Sequence, residues 1–536
     1  MQIYSDKIFN NPIEIIDAPT NMSVFAAFER IEKLYKKYYL LGYVSYDFKR
    51  VYFEVFDKFE KYIPKSIDKP FGIISEPMIS KEDYYTSIDK IKNYISEGVS
   101  YEVNFTYPNK VWTNLDDLEL YEALLEKQKT PYNLFFKNKY TTILSFSPEL
   151  FFKLQGNTIL TKPMKGTIQR GQSKLEDKKN FEFLQNDIKN RAENIMIVDL
   201  LRNDLGIIAK TGSVKVDKLF DIEAHPTVFQ MTSEISAQLR DNIKLFDIFK
   251  AIFPCGSITG APKISTMKII KELEKFSREI YCGAIGFLSP EECVFSVPIR
   301  ILQSKNPKLH GVEKKSAYFK YSVGGAIVWD STPEDEWNET LTKMKFLQTD
   351  FSLIETAVDN LDAHVKRMKN SAEILGFIWN DNIENLEINK GKVLRVVLNK
   401  NGQFTVTYND LKLRPCDIDG KYKIKICGKV HSSNPFLYHK TTIRNKPPED
   451  IFDYILSNEN DEITEGTFTN IAILENGKLY TPPVSCGLLN GTLRQQYVDD
   501  GKMFEKVLYK KDLLNAEKIY CFNSVRGFVE VELCWL

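Results

Sequence analysis

The chain has 536 residues, 43% hydrophobic and 27% charged, and its 72 Lys and Arg balance 72 Asp and Glu. Zero net charge removes the electrostatic signature of a nucleic-acid or membrane-surface binder, and the length is enough for two large domains or three to four smaller ones. No apolar run approaches the ~18 residues of a membrane span, Met1–Asn11 lacks the apolar core of a secretory signal, and eight scattered Cys show neither CxxC nor metal-ligand spacing, which predicts a cytoplasmic protein with reduced thiols.

Strand-like alternation and helical spacing interleave throughout, so a mixed α and β fold is expected. The first segment with chemical character is Thr161-Lys162-Pro163-Met164-Lys165-Gly166-Thr167, followed by Arg170-Gly171. A lysine between a rigid Pro and a small Gly can be held at a pocket wall, where loss of water lowers its pKa and frees its lone pair. Alone, the segment fits a solvated turn better. Asp187 to Gly206 reads as an amphipathic helix with Ala192, Ile195, Met196 and Leu200 inward and Glu193 at the polar margin.

Farther on, Phe253 to Lys263 and Ser322 to Ile327 are Gly-rich and read as turns that offer backbone N–H groups to anions. The first includes Thr259 and Gly260 and precedes a helix from Ile264 to Leu273; the second includes Gly324 and Gly325. Arg300, after the strand-like Val294 to Ile299, suits a carboxylate clamp or a surface ion pair. Ser304 to Lys320 reads as an exposed loop. In the helix Asp335 to Leu347, Glu336, Glu339 and Lys343 share one face. That face suits a solvated ion-pair row, or, with a carboxylate from a second helix, a Mg²⁺ that keeps several waters.

A new strand-plus-helix pattern opens at Phe351, which places a domain boundary at Gln348-Thr349-Asp350 and gives parts 1–347 and 351–536. The junction lacks the composition of a flexible tether.

Read in order, Gly98-x-x-Tyr101-x-Val103-Asn104, Ser147-Pro148-Glu149, Pro163 to Thr167, Arg191-Ala192-Glu193-Asn194, Asp199 with Arg202-Asn203-Asp204, the run from Ser257 to Lys263, Ile299-Arg300, Gly324 to Ile327 and Glu336-x-x-Glu339-x-x-x-Lys343 resemble the chorismate-utilising enzyme family across residues 70 to 347. The resemblance implies a two-layered α/β sandwich and Mg²⁺ held by Glu193 and Glu339, with Glu336 beside them. It also implies substrate contacts from Arg300, Lys343, Thr259, Gly260, Gly324 and Gly325. Members that aminate chorismate at the para position have Lys at the position of Lys165, where anthranilate and salicylate synthases have Ala. By that resemblance Lys165 adds to chorismate at C2 and the C4 hydroxyl leaves with a proton from Glu149; ammonia then displaces the lysine at C4. Departures from the family pattern are Val99, Glu102 (for Gln), Cys255 and Ala326 (for Gly) and Gln230 (for His). A glutaminase of the class I amidotransferase type needs a Gly-flanked Cys and a His-x-Glu pair, and neither occurs among the eight Cys and five His. The implied partner is a separate glutaminase subunit that supplies ammonia.

In the second part, His364-x-x-Arg367, Lys440, Glu465-Gly466-Thr467-x-Thr469-Asn470, Gly487 to Arg494 and Asn523-Ser524-x-x-Gly527 resemble, in this order, the fold-type IV pyridoxal phosphate enzymes. Each residue alone also fits a surface cation, a turn acid or a helix N-cap. The resemblance implies a domain of two α/β lobes in which Lys440 carries pyridoxal 5'-phosphate as a Schiff base and Glu465 pairs with the ring nitrogen. Arg367, Thr492 and Ser524 would hold the phosphate, and a homodimer through this part is expected. Lyase and aminotransferase members share these residues. Because the first part is expected to make 4-amino-4-deoxychorismate, the second is expected to eliminate pyruvate from it and release 4-aminobenzoate, a folate precursor. The alternatives are an anthranilate-synthase-type enzyme fused to a branched-chain or D-amino acid aminotransferase-like domain, and an inactive ligand-binding scaffold for a glutaminase. Two reactive lysines speak against the scaffold.

Overall fold

Runs rich in β-branched and aromatic residues, such as Val51–Phe56 and Glu102–Thr113, form strands that are buried on both faces and so carry the centre of the fold. The computed structural model describes residues 1–225, 228–305, 308–309, 312–313, 318–412, 414–416, 420–444 and 449–534. The fold is mixed α and β, as expected, and divides into two compact units. The first comprises Met1–Ser66, Ser75–Val111 and Asp117–Leu347; the second comprises Ile67–Ile74, Trp112–Asp116 and Gln348–Leu536.

The first unit contains two ten-stranded sheets. One carries Glu102–Thr113 between Gly260–Ala261 and Phe319–Ile327, and continues through Ile301–Lys305, Thr141–Ser147 and Tyr132–Lys137. The other carries Met164–Gln169 at one end, then Val228–Gln238, Thr158–Lys162, Leu150–Gln155 and Cys293–Ser296. Phe136 and Ile143 of the first share one core with Phe152 and Phe295 of the second. Burying such rings removes large apolar areas from water and sets the packing of one sheet on the other.

Three sequence expectations change here. The helix forms at Ile188–Gly206, N-capped by Asp187, but it buries Asn194, Ile197, Val198, Leu201 and Leu205, while Ala192 and Ile195 face solvent. Apolar residues surround this helix, so their spacing selects no face and tertiary packing decides. Gly324 and Gly325 are not in a turn: they lie inside the strand Phe319–Ile327, opposite Thr106 and Phe105. A Cβ on Gly324 would stand 2.1 Å from Phe105 O, so close strand approach explains the glycine. Within the expected Ser304–Lys320 loop, the described Lys308–Leu309 and Val312–Glu313 pair as short strands, and residues 306–307, 310–311 and 314–317 lie outside the described residues.

The second unit has two lobes, each built on a sheet. A three-stranded sheet of Leu353–Ala357, Val393–Leu398 and Phe404–Asn409 packs with the helix Leu361–Leu375 around Leu353, Met368 and Leu394. An eight-stranded mixed sheet includes Ile463–Gly466, Asn470–Glu475 and Lys518–Asn523. Among the described residues no helix is long and apolar enough to cross a membrane.

Candidate functional site

In the first unit the strand Met164–Gln169 presents Lys165 into the interior, 9% exposed, where Nζ donates to Glu102 Oε1 at 2.8 Å and lies 3.9 Å from Glu193 Oε2. Glu102 comes from the first residue of Glu102–Thr113, and Glu193 from the helix Ile188–Gly206. Burial by itself lowers the pKa of Lys165, but Glu102 and Glu193 outweigh it and hold the ammonium above the usual lysine value. The expected depressed lysine is thus reversed by two carboxylates. Glu102 Oε2 is buried with no hydrogen-bond partner among the described residues.

Glu149 sits between the strands Thr141–Ser147 and Leu150–Gln155, 3% exposed, and accepts from Ser257 Oγ at 2.6 Å. Burial pushes this carboxyl up to about 7, against the Ser257 hydrogen bond and the charge of Lys165. A carboxylic acid that titrates near neutrality can donate a proton at physiological pH.

Arg300 follows the strand Cys293–Ser296 and adopts a left-handed backbone, φ 54°, before Ile301–Lys305 begins. Its Nη1 is buried and has no hydrogen-bond partner among the described residues. It lines a cleft with Pro148, His225 and Gln230. An unpaired buried guanidinium is costly, and an anionic ligand would remove that cost. Lys343, expected at a substrate carboxylate, instead donates to Gly324 O and to Glu339 Oε1, both at 2.6 Å. Thr259 is fully buried and spends its hydroxyl on Cys255 O and its N–H on Gly256 O, inside its own turn. Gly260, φ 128°, lies so close to Glu102 that a Cβ would stand 1.9 Å from the Glu102 carbonyl. Gly325 leaves the space that Glu336 Oε2 fills, 2.8 Å from where its Cβ would be.

For a magnesium ion the donor set is Glu193, Glu336 and Glu339. Glu336 is buried; Ser331 holds its Oε1 at 2.6 Å, and its Oε2 has no partner among the described residues. Burial raises the pKa of Glu193 and of Glu336, and the neighbouring Glu339 adds to both shifts, whereas Lys343 holds the half-exposed Glu339 low. Among the described residues no three metal-ligating side chains close on one point. The partnerless Glu336 Oε2 suits an ion that completes its shell with water and substrate.

In the second unit, Lys440 follows the turn Pro435–Leu437, and its carbonyl accepts from Ile354 N at 2.9 Å, so the lysine runs beside the strand Leu353–Ala357. Its Nζ donates to Thr356 Oγ1 and lies 3.7 Å from Glu355 Oε2. Burial brings Lys440 down to about 8 although Glu355 opposes the shift. Glu355 itself is a hub. Arg367 binds it through Nε and Nη2 at 2.7 Å each and His364 through Nδ1 at 2.8 Å, which holds its carboxyl well below the usual range despite burial. Thr492 opens the helix Thr492–Asp499 and its hydroxyl meets His364 Nε2 at 3.2 Å, while Arg367 Nη1 donates to Asn490 O at 3.1 Å.

Glu465, buried in Ile463–Gly466, is held by Arg444 at 2.8 Å and by Asn470 Nδ2 at 3.3 Å, and burial raises it to about 7. The N-terminus of the helix Thr492–Asp499 suits a phosphate, although Arg367 is spent on Glu355 and Asn490 and the Thr492 hydroxyl meets His364, and a half-buried lysine with a lowered pKa fits a carbonyl-bearing cofactor. Ser524 lies in the turn between Lys518–Asn523 and Gly527–Leu533, and no hydrogen bond among the described residues joins it to Lys440, Arg367 or Thr492. Sequence reasoning missed Ser257, Glu355 and Arg444. A hydroxyl in a glycine-rich turn, an acid in a strand and an arginine four residues after Lys440 carry no local mark of their partners.

A family model described as chorismate binding enzyme matches residues 54–349, over half of the chain, and one described as amino-transferase class IV matches residues 428–534. Aminodeoxychorismate synthase component 1 of Escherichia coli (strain K12) is 38% identical over 267 residues, 50% of this chain and 57% of that protein. Anthranilate synthase component 1 of Aquifex aeolicus (strain VF5) is 34% identical over 279 residues, 52% of this chain and 54% of that protein. The chain thus spans about half the length of these curated relatives. The solved anthranilate synthase component I of Streptococcus pneumoniae TIGR4 shares the fold, with a TM-score of 0.56 at 22% identity over 64% of this chain and 92% of that one.

Proposed function

We infer a function from the premise that the chain belongs to the chorismate binding enzyme family, whose model matches residues 54–349: it aminates chorismate to 4-amino-4-deoxychorismate and, in its second unit, eliminates pyruvate to release 4-aminobenzoate. The observation that carries this reading is Lys165, an interior amine 2.8 Å from the Glu102 carboxylate, with the near-neutral acid Glu149 within reach of its charge. In anthranilate-type chemistry no nucleophilic lysine is required.

Lys165 passes a proton to Glu102 Oε1, and its Nζ adds to C2 of chorismate while the ring double bond shifts and the C4–O bond breaks. Glu149 protonates the leaving hydroxyl, so water departs. Ammonia then adds at C4, the electrons shift back, and Lys165 leaves C2 as the amine. Arg300 would pair with a substrate carboxylate through its open Nη1. Glu193, Glu336 and Glu339 would hold a magnesium ion, which supplies positive charge for the C1 carboxylate. Ammonia would come from a separate class I glutamine amidotransferase subunit.

In the second unit Lys440, Arg367, Thr492, Glu465 and Ser524 would hold pyridoxal 5'-phosphate, which supplies an electron sink when bound. Lys440 moves the C4 proton of the substrate, Thr356 and Glu355 fix its amine, and Arg444 opposes the burial that raises Glu465. Incubation of the full chain with chorismate, Mg²⁺, pyridoxal phosphate and ammonium salt should yield 4-aminobenzoate with one pyruvate each. Anthranilate as product would overturn the first step, and accumulation of aminodeoxychorismate would overturn the second.

A further inference from the structure

Beyond Glu149 itself, the first site contains a buried thiol that the proposed amination does not use. Cys255 caps the short turn Gly256–Ile258 and is 2% exposed. Its Sγ lies 3.2 Å from Ser257 Oγ, and Ser257 Oγ lies 2.6 Å from Glu149 Oε1. The three side chains are a file that ends on a thiol. The groups that also face Glu149 are Lys165 and the backbone of Met164 from the strand Met164–Gln169, and the buried thiol Cys282; Lys263 faces Cys255.

A hydroxyl has one proton to donate and can accept as well, and a thiol can do either weakly. When Glu149 is ionised, Ser257 donates to it and Cys255 S–H can donate to Ser257. When Glu149 carries a proton on Oε1, it can donate to Ser257, which then donates to Cys255 Sγ. No proton leaves the file in either state, because burial pushes the Cys255 thiol up to about 12 and keeps it protonated. Both forms of the carboxyl therefore keep a hydrogen-bond partner in a place where an unpartnered one is expensive.

We propose that Cys255, Ser257 and Glu149 form a hydrogen-bond chain that reverses direction as Glu149 gives up its proton, with Ser257 the residue that positions the acid. The proposal rests on the reading of the first unit as a chorismate-aminating site. It assigns the Cys255 thiol the role of accepting from Ser257 when Glu149 is protonated.

The test is an infrared titration of the full chain that follows the protonated-carboxyl band of Glu149, identified by its loss in Glu149→Gln. Ser257→Ala removes a donor to the carboxylate, so the midpoint should rise by about half a pH unit or more. Cys255→Ala removes a weak S–H donor from the ionised form and the acceptor of the Ser257 hydroxyl from the neutral form; the second loss is larger because it leaves a buried hydroxyl proton unmet, so the midpoint should fall, and Cys255→Ser should restore it. In steady-state amination at fixed unprotonated ammonia, the alkaline limb of kcat should move in the same directions. Ser257→Ala should lower kcat on the order of tenfold with KM for chorismate within about twofold. Midpoints that stay fixed, or that move the same way in both alanine variants, overturn the chain. If Ser257→Ala does not fold, the fall with Cys255→Ala and its rescue by Cys255→Ser decide the matter. If the midpoints move as stated but no aminated product forms, the chain stands and the amination reading falls.

Discussion

At the scale of single residues, Lys165 and Glu149 were legible because each sits in a run of fixed neighbours, whereas what surrounds them was not. Glu102 could be read only as a departure from Gln; the structure makes it the partner of Lys165 at 2.8 Å, a contact across 63 residues that no local pattern encodes. Lys165→Ala should lower para-amination at least about a hundredfold, as removal of a nucleophile does, while Lys440→Ala should leave that step intact and let 4-amino-4-deoxychorismate accumulate; chromatography of the products separates the two. A pH signature belongs to Glu465. Its ordinary value is 4.5 and burial raises it to about 7, so between these the folded chain binds a proton that the unfolded chain has lost. Its contribution is therefore present below about 4.5 and is lost as pH rises through about 7. Against Glu465→Gln, which stays neutral, the urea stability of the cofactor-free wild type should decline from pH 5 to pH 8 by of order 1–3 kcal/mol.

At the scale of elements, helix ends and strand runs were readable and faces were not. The helix Pro333–Met344 appears where the spacing placed it, with Thr332 accepting from Asp335 N as its N-cap. Gly324 and Gly325 looked like a turn because two glycines in sequence carry the same letters in a turn and in a strand that must pass close to a neighbour. Gly260 makes the same point. Gly260→Ala would force a Cβ against a backbone carbonyl at 1.9 Å in a left-handed conformation, whereas Gly325→Ala meets only the end of the Glu336 side chain. The first should therefore reduce the thermal midpoint far more than the second. A buried pair also ties elements together. Arg278 and Glu274 are 1% and 2% exposed and together bind Thr106, Asn104 O and Ile258 O, which fixes the strand Glu102–Thr113 to the turn that holds Ser257. Arg278→Met leaves Glu274 charged and unpaired and should cost about 3–5 kcal/mol in urea unfolding.

At the scale of the whole molecule, the alternation of strand and helix spacing was enough to give a mixed α and β fold, and motif order was enough to separate two chemistries. What sequence order could not give is membership of the second unit by Ile67–Ile74 and Trp112–Asp116. There Ile73 N donates to Thr349 Oγ1 at 2.8 Å, and a Cβ on Gly72 would stand 2.8 Å from Ile443. These are long-range contacts made by short polar-apolar stretches with no motif of their own. A fragment ending at residue 347 should consequently be less soluble and melt at lower temperature than the full chain, read by scanning fluorimetry, because it leaves apolar residues of Ile67–Ile74 without the rest of their unit.

The same interleaving bears on how the chain is made. A ribosome delivers Ile67–Ile74 and Trp112–Asp116 hundreds of residues before the last strand, Gly527–Leu533, so the second unit cannot close until synthesis is almost finished. The early segments must wait until their partners are made and be collected late. The two units are thus not beads on a string that evolution or a protein engineer can snip apart at one peptide bond; the chain is stitched, and whatever separates them has to cross five junctions.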